Sequence, residues 1–162
     1  PFNTDYGIAS VNEASPASGT SYTATADAIT DMAITLPESP SSGDRMELRY
    51  RVQDDDNYMV FYARYSGSAW DVRIDKVEGG SATQLLNVTN VGTPDTLRVI
   101  TDGNRHDAYT KSGTTWTRRN GQINNSFNAA LTTIKPVFEV GSVGSLRSYP
   151  RTSPAYAELD RR

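Results

Sequence analysis

The chain reads as an all-β protein: an antiparallel β-sandwich with extended arms at both ends. Three observations predict this. Turn dipeptides recur at short intervals (Ser42-Gly43, Ser66-Gly67, Gly79-Gly80, Asp102-Gly103, Ser112-Gly113 and Asn120-Gly121), with period-two segments between them. Nine tyrosines, four phenylalanines and two tryptophans, with many threonines, supply the amphipathic side chains that a half-buried strand favours. No segment of helical length carries an apolar stripe with a 3.6-residue period.

At 162 residues the chain has the size of one domain with one core. Residues 1–20, rich in Ser, Ala and Asn, read as an N-terminal arm, and residues 21–148 as the sandwich. Residues 149–162 carry two prolines and three arginines with few apolar residues, which predicts a C-terminal tail. Pro37 to Gly43 is a loop on composition alone.

The centre of the chain allows a register to be written down. Directly opposed residues of an antiparallel pair point to the same face. Arg45 to Gln53 and Tyr58 to Tyr65 form a hairpin with its turn centred on Asp55 and Asp56. Val52 then opposes Met59, Tyr50 opposes Phe61, Leu48 opposes Ala63, and Met46 opposes Tyr65, so one face is apolar throughout. Continuing through Gly67 and Ser68 into Trp70 to Val77 sets Trp70 against Tyr65, Val72 against Ala63, and Ile74 against Phe61. The expected core is Leu48, Tyr50, Val52, Met59, Phe61, Trp70, Val72 and Ile74. The reverse face carries the rows Glu47/Arg64/Asp71 and Arg49/Tyr62/Arg73, exposed to water. A slip of one residue mixes the two sets.

Later strands are expected at Thr83 to Val88, Thr96 to Thr101, Arg105 to Lys111, Thr115 to Arg119 and Ile134 to Val140. Across Gly103 and Asn104, Val99 pairs with Ala108 and Arg98 with Tyr109. Across Ser112 and Gly113, Tyr109 pairs with Trp116. This many short strands need a second sheet to cover the apolar face, hence the sandwich.

Composition narrows the function classes. Sixteen Lys and Arg against nineteen Asp and Glu give a net charge of -3, without the basic excess that neutralising phosphates needs, so nucleic acid is not an expected partner. No run approaches the length of an apolar membrane span, so a membrane is not expected either. The absence of cysteine removes disulfides, thiolate metal sites and a Cys nucleophile.

The segment YRVQDDDNYMVFYAR, the following WDVRIDKVEGG and then DTLRVITDGNRHDAYTKSG resemble the concanavalin A-like, laminin-G-type jelly rolls. The resemblance covers roughly Arg45 to Gly113 and implies a jelly-roll sandwich. The superfamily includes lectins, polysaccharide-binding modules, glycosidases and phage virion surface proteins. Two departures stand out. The ends, around Pro1 to Thr20 and Leu146 to Arg162, lack clear closing strands, and His106 and Asp107 interrupt the apolar alternation of their strand.

A retaining glycosidase needs two closely spaced carboxyl groups. Laminarinase-like members of this fold carry them in an E-x-D-x-x-E type pattern. Asp71, Asp75 and Glu78 do not reproduce it, so no catalytic residue and no enzyme activity are expected. His106, the only histidine, falls beside Thr101 near a hairpin end and is expected to be structural. The acidic run Asp54 to Asn57 reads as a solvated turn in preference to a Ca²⁺ loop, and no metal or other cofactor is expected.

Recognition is expected to reside on Arg49, Tyr62, Arg73 and Arg64, where a Tyr ring offers an apolar face to a sugar and guanidinium forks reach its oxygens. Tyr109 and Trp116, beside Arg98, form a second aromatic candidate. The expectation is a non-catalytic carbohydrate-binding module on a virion or cell exterior, with a glycan as partner. The alternative is a structural virion component, a decoration or fibre protein whose arms 1–20 and 149–162 dock to a capsid or tail protein. A homo-oligomer is compatible with either.

Overall fold

Two antiparallel sheets contain the thirteen strands of the computed structural model, which describes residues 12–13, 19, 21–23, 28–119, 123–138 and 142–150. The strands are β1 (Asn12–Glu13), β2 (Tyr22–Thr23), β3 (Ala28–Thr35), β4 (Arg45–Asp54), β5 (Asn57–Tyr65), β6 (Trp70–Glu78) and β7 (Ser81–Val88). They continue with β8 (Thr96–Asp102), β9 (Arg105–Ser112), β10 (Thr115–Arg118), β11 (Ile123–Asn124), β12 (Thr133–Phe138) and β13 (Ser142–Pro150). One sheet runs β2-β12-β4-β5-β6-β7. The other runs β1-β13-β3-β8-β9-β10, with β11 also paired to β9. No helix occurs among the described residues.

Local chemistry sets the hairpins. Gly79 and Gly80 both take positive φ, 56° and 75°, as a tight two-residue turn between β6 and β7 requires. At the acidic corner, Asp54 Oδ1 accepts the Asn57 side-chain amide at 2.8 Å and the Asp56 backbone N–H at 2.9 Å. These bonds hold the Asp54 carboxyl below the usual carboxylate range. The carboxylate is thus engaged in closing the turn, and Asp54 pairs with Asn57 across a turn at Asp55 and Asp56.

The alternating pattern separates the faces. Met46, Leu48 and Tyr50 of β4, Met59, Phe61 and Ala63 of β5, Trp70, Val72 and Ile74 of β6, and Ile134 of β12 pack with Met32, Leu97, Val99 and Ala108 of the other sheet. Full burial of each large apolar side chain contributes about 1.5–3 kcal/mol. The β5–β6 register matches the sequence reading at every pair: Tyr65 with Trp70, Ala63 with Val72, Phe61 with Ile74.

On β4 the register differs. Tyr50 opposes Met59, Leu48 opposes Phe61 and Met46 opposes Ala63, two residues from the expected pairing, and the ladder is broken between Tyr50 and Asp54. The break is a bulge with Arg51 at φ 50°. It turns Arg51, expected to face water, into the buried set, and leaves Val52, expected in the core, only half-buried. The β9–β10 hairpin shifts by two as well: Trp116 opposes Lys111, and Tyr109 opposes Arg118.

Closing strands that the sequence shows weakly are present. β3 lies between β13 and β8, and β13 continues to Pro150, across the expected boundary at residue 148. β1, within the expected N-terminal arm, pairs with β13. The remainder of both arms, and with it any docking role for them, lies outside the described residues.

Candidate functional site

The outward face of the six-stranded sheet holds four of the expected site residues. Because β4 is displaced by two, the rows are Glu47–Tyr62–Arg73, Arg49–Val60–Asp75 and Arg45–Arg64–Asp71, in place of those read from the sequence. β12 extends two of them, with Val137 beside Glu47 and Lys135 beside Arg49.

Arg45, Glu47 and Arg49 alternate along β4 and so share this face. Glu47 receives Arg45 Nε on one carboxylate oxygen at 2.8 Å and Arg49 Nε on the other at 3.1 Å. Tyr62, on the central strand, is only 4% exposed. The Arg45 guanidinium lies 3.8 Å from its ring centroid and that of Arg73 5.4 Å away. Arg49 covers the Tyr58 ring in the same way at 4.4 Å. Such cation–ring contacts contribute about 0.5–2 kcal/mol each. The tyrosine rings form the floor of this face, and the arginine side chains lie over them.

The Asp75 carboxylate, beside Tyr62, takes Arg73 Nη2 at 3.2 Å. Burial raises the pKa of both Tyr62 and Asp75; the Asp75 charge adds to the Tyr62 shift, and Arg73 opposes that of Asp75. Asp71 Oδ1 accepts the backbone N–H of Asn90 at 2.8 Å. Each carboxylate of the face therefore has a cation or a donor on it.

Tyr109 and Trp116 lie elsewhere. They share the outward face of the seven-stranded sheet with Arg98, across the sandwich from Tyr62. Arg98 and Tyr109 are buried and Trp116 is half-buried, with the Arg98 guanidinium 5.3 Å from its ring centroid. Asp107, also buried there, bridges Arg105 at 2.9 Å and Arg118 at 2.6 Å. The six expected residues thus form two sets on opposite sides of the sandwich. Arg45 was missing from the expected set: in the register read from the sequence it fell beyond the end of β5.

His106 takes a structural position. Its Nε2 lies 3.2 Å from the Asn125 carbonyl oxygen and its Nδ1 2.9 Å from the Tyr50 hydroxyl. A carbonyl only accepts, so Nε2 carries the hydrogen and Tyr50 donates to Nδ1. Arg51 closes the same end of the sandwich, donating to the carbonyls of Asn125 at 2.9 Å, Phe127 at 3.5 Å and Gly103. No group of three or more metal-ligating side chains occurs among the described residues.

No protein-family model matches the chain, and no curated protein sequence matches it. Solved structures do. The Caenorhabditis elegans galectin LEC-6 superposes with a TM-score of 0.57 at 14% identity, over 88% of this chain and 99% of that one. The fold is a jelly-roll β-sandwich. Carbohydrate binding module CBM66 from Bacillus subtilis is similar at a TM-score of 0.50 and 14% identity, over 81% of this jelly roll and 74% of the module. The GH43 protein BlXynB from Bacillus licheniformis matches at 0.53 and 15% identity, over 75% of this chain; the match spans only 27% of the glycosidase chain. At these identities the likeness is one of fold.

Proposed function

We propose that this jelly roll is a non-catalytic carbohydrate-binding module that works outside a cell or on a virion surface, and that the outward face of β4, β5 and β6 is its glycan site. The observation that carries this reading is the row Glu47–Tyr62–Arg73 flanked by Arg45, Arg49 and Arg64. Planar guanidinium groups, fixed over tyrosine rings and by carboxylates, present directed donors at low entropic cost to ligand oxygens. The resemblance to a galectin and to a carbohydrate-binding module supports the same assignment.

The chemistry of the face favours binding over turnover. A glycosidase needs one carboxylate free to attack or to polarise water, and one acid free to reach the leaving oxygen. Here Glu47 holds two arginines, Asp75 holds Arg73, and Asp71 holds a backbone amide.

A glycan array probed with the full chain tests the proposal. At least one polysaccharide should be retained, and Arg49→Ala combined with Arg73→Ala should abolish retention while the variant remains folded by circular dichroism. A blank array, or retention unchanged in the double variant, contradicts it.

A further inference from the structure

The proposed glycan site has a charge that the rest of the chain does not. Five cationic side chains, Arg45, Arg49, Arg64, Arg73 and Lys135, share the outward face of the six-stranded sheet with three carboxylates, Glu47, Asp71 and Asp75. The face is net positive on a protein of net charge -3. The excess is concentrated at one place. Arg45 and Arg64 are direct cross-strand partners, an arrangement in which like charges repel. Arg45 turns to Glu47 and the Tyr62 ring. Arg64 is exposed and makes no ion pair with any described residue, while Oδ1 of Asp71, its partner on β6, accepts the Asn90 amide.

What the face offers also excludes a common way of holding neutral sugars. Among the described residues, Tyr62 is buried beneath Arg45 and Arg73, and Tyr58 is half-buried with Arg49 over its ring, so neither ring is an open platform for a pyranose to stack on. The exposed surfaces are guanidinium edges: the side chain of Arg45 is 44% exposed and that of Arg73 33%. Within the face these groups already seat carboxylates, one arginine on each oxygen of Glu47 and Arg73 on Asp75. Arg45 and Arg64, and Arg49 and Lys135, are cross-strand neighbours about 5 Å apart, while Arg45 and Arg49 lie about 13 Å apart along β4, so a sugar chain running across the strands can meet more than one cation.

Resting on the glycan-binding reading above, we infer that the ligand is a uronate-bearing polysaccharide, its carboxylates taken by Arg64, Arg45 and Arg73. Five cations, four of them already paired with carboxylates of the protein, do not form the continuous basic track of a nucleic-acid groove.

Affinity electrophoresis of the full chain tests this with four embedded polymers: polygalacturonate, the same polymer fully methyl-esterified, dextran sulfate, and single-stranded DNA. The expected result is retardation by polygalacturonate at least tenfold stronger than by its ester, weakened at high salt. Arg64→Glu should reduce that retardation at least tenfold without changing the thermal midpoint, and Arg64→Lys should keep part of it. Equal retardation by acid and ester overturns the charge selectivity while leaving glycan binding in place. No retardation by these polymers, together with a blank array, overturns both. Tighter binding of dextran sulfate or DNA than of polygalacturonate overturns the assignment to uronate.

Discussion

The Tyr50 hydroxyl lies 2.9 Å from His106 Nδ1, and this hydrogen bond joins the six-stranded sheet to the seven-stranded one through the buried layer. Both residues are almost fully buried. In the neutral imidazole, whose Nε2 hydrogen goes to the Asn125 carbonyl, Nδ1 accepts from the Tyr50 hydroxyl.

Burial, reinforced by the nearby Arg51 charge, pushes the His106 pKa down to about 4. In the unfolded chain it titrates at its ordinary value of 6.5. Between these values the unfolded state binds a proton that the folded state refuses, so acid favours unfolding. Stability from this source is complete above about pH 6.5 and falls as the pH approaches about 4, by about 3 kcal/mol in total. Urea midpoints measured across that range should decline toward acid, and His106→Gln should flatten the decline within this window.

Arg51 is a buried cation satisfied by carbonyls, with burial holding its pKa below the ordinary value. Arg51→Ala should cost about 2–4 kcal/mol, because it leaves buried carbonyls without donors. Arg51→Lys should recover little, since an ammonium cannot span three acceptors held for a planar fork. Chemical denaturation distinguishes these outcomes from a loss of under about 0.5 kcal/mol, which is expected for a surface arginine.

The same bulge makes neighbouring apolar residues unequal. Leu48→Ala should cost about 2–5 kcal/mol, as expected of a fully buried side chain. Val52→Ala should cost under about 1 kcal/mol, because Val52 is only half-buried. Equal losses at the two positions would place Val52 back in the core.

This difference shows what the sequence could and could not convey. Alternation of apolar and polar residues distinguishes one face from the other, so it identified both faces of β5 and β6 and every pair between them. It is blind to a slip of two residues, which keeps every side chain on its face. Both register errors, at β4–β5 and β9–β10, are slips of two. The inward turn of Arg51 depends on a positive φ at a residue type that seldom adopts one, which no turn dipeptide announces. β3 and β13 were not identified because their segments, AITDMAIT and SVGSLRSYP, mix small and polar residues with few large apolar ones. Tyr62 was correctly placed on the outward face, but its burial follows from Arg45 and Arg73 folding over it, a contact that pattern alone does not contain.

Tyr62 should consequently act as a support. Tyr62→Phe removes the hydroxyl beside Asp75 and keeps the ring under Arg45, so it should cost under about 1.5 kcal/mol and leave glycan retention nearly unchanged. Tyr62→Ala should lower both stability and retention, because Arg45 loses the surface that orients it. Thermal melts and column retention, measured on both variants, separate the two effects.

The most direct test of the account is a two-dimensional ¹⁵N–¹H NMR titration of the full chain with an oligosaccharide of the retained polysaccharide. Shift changes should concentrate on alternate residues of β4, β5 and β6, at Arg45, Glu47, Arg49, Tyr62, Arg64, Asp71 and Arg73. Changes centred on Arg98, Tyr109 and Trp116 of the opposite sheet, or none at saturating ligand, would contradict it.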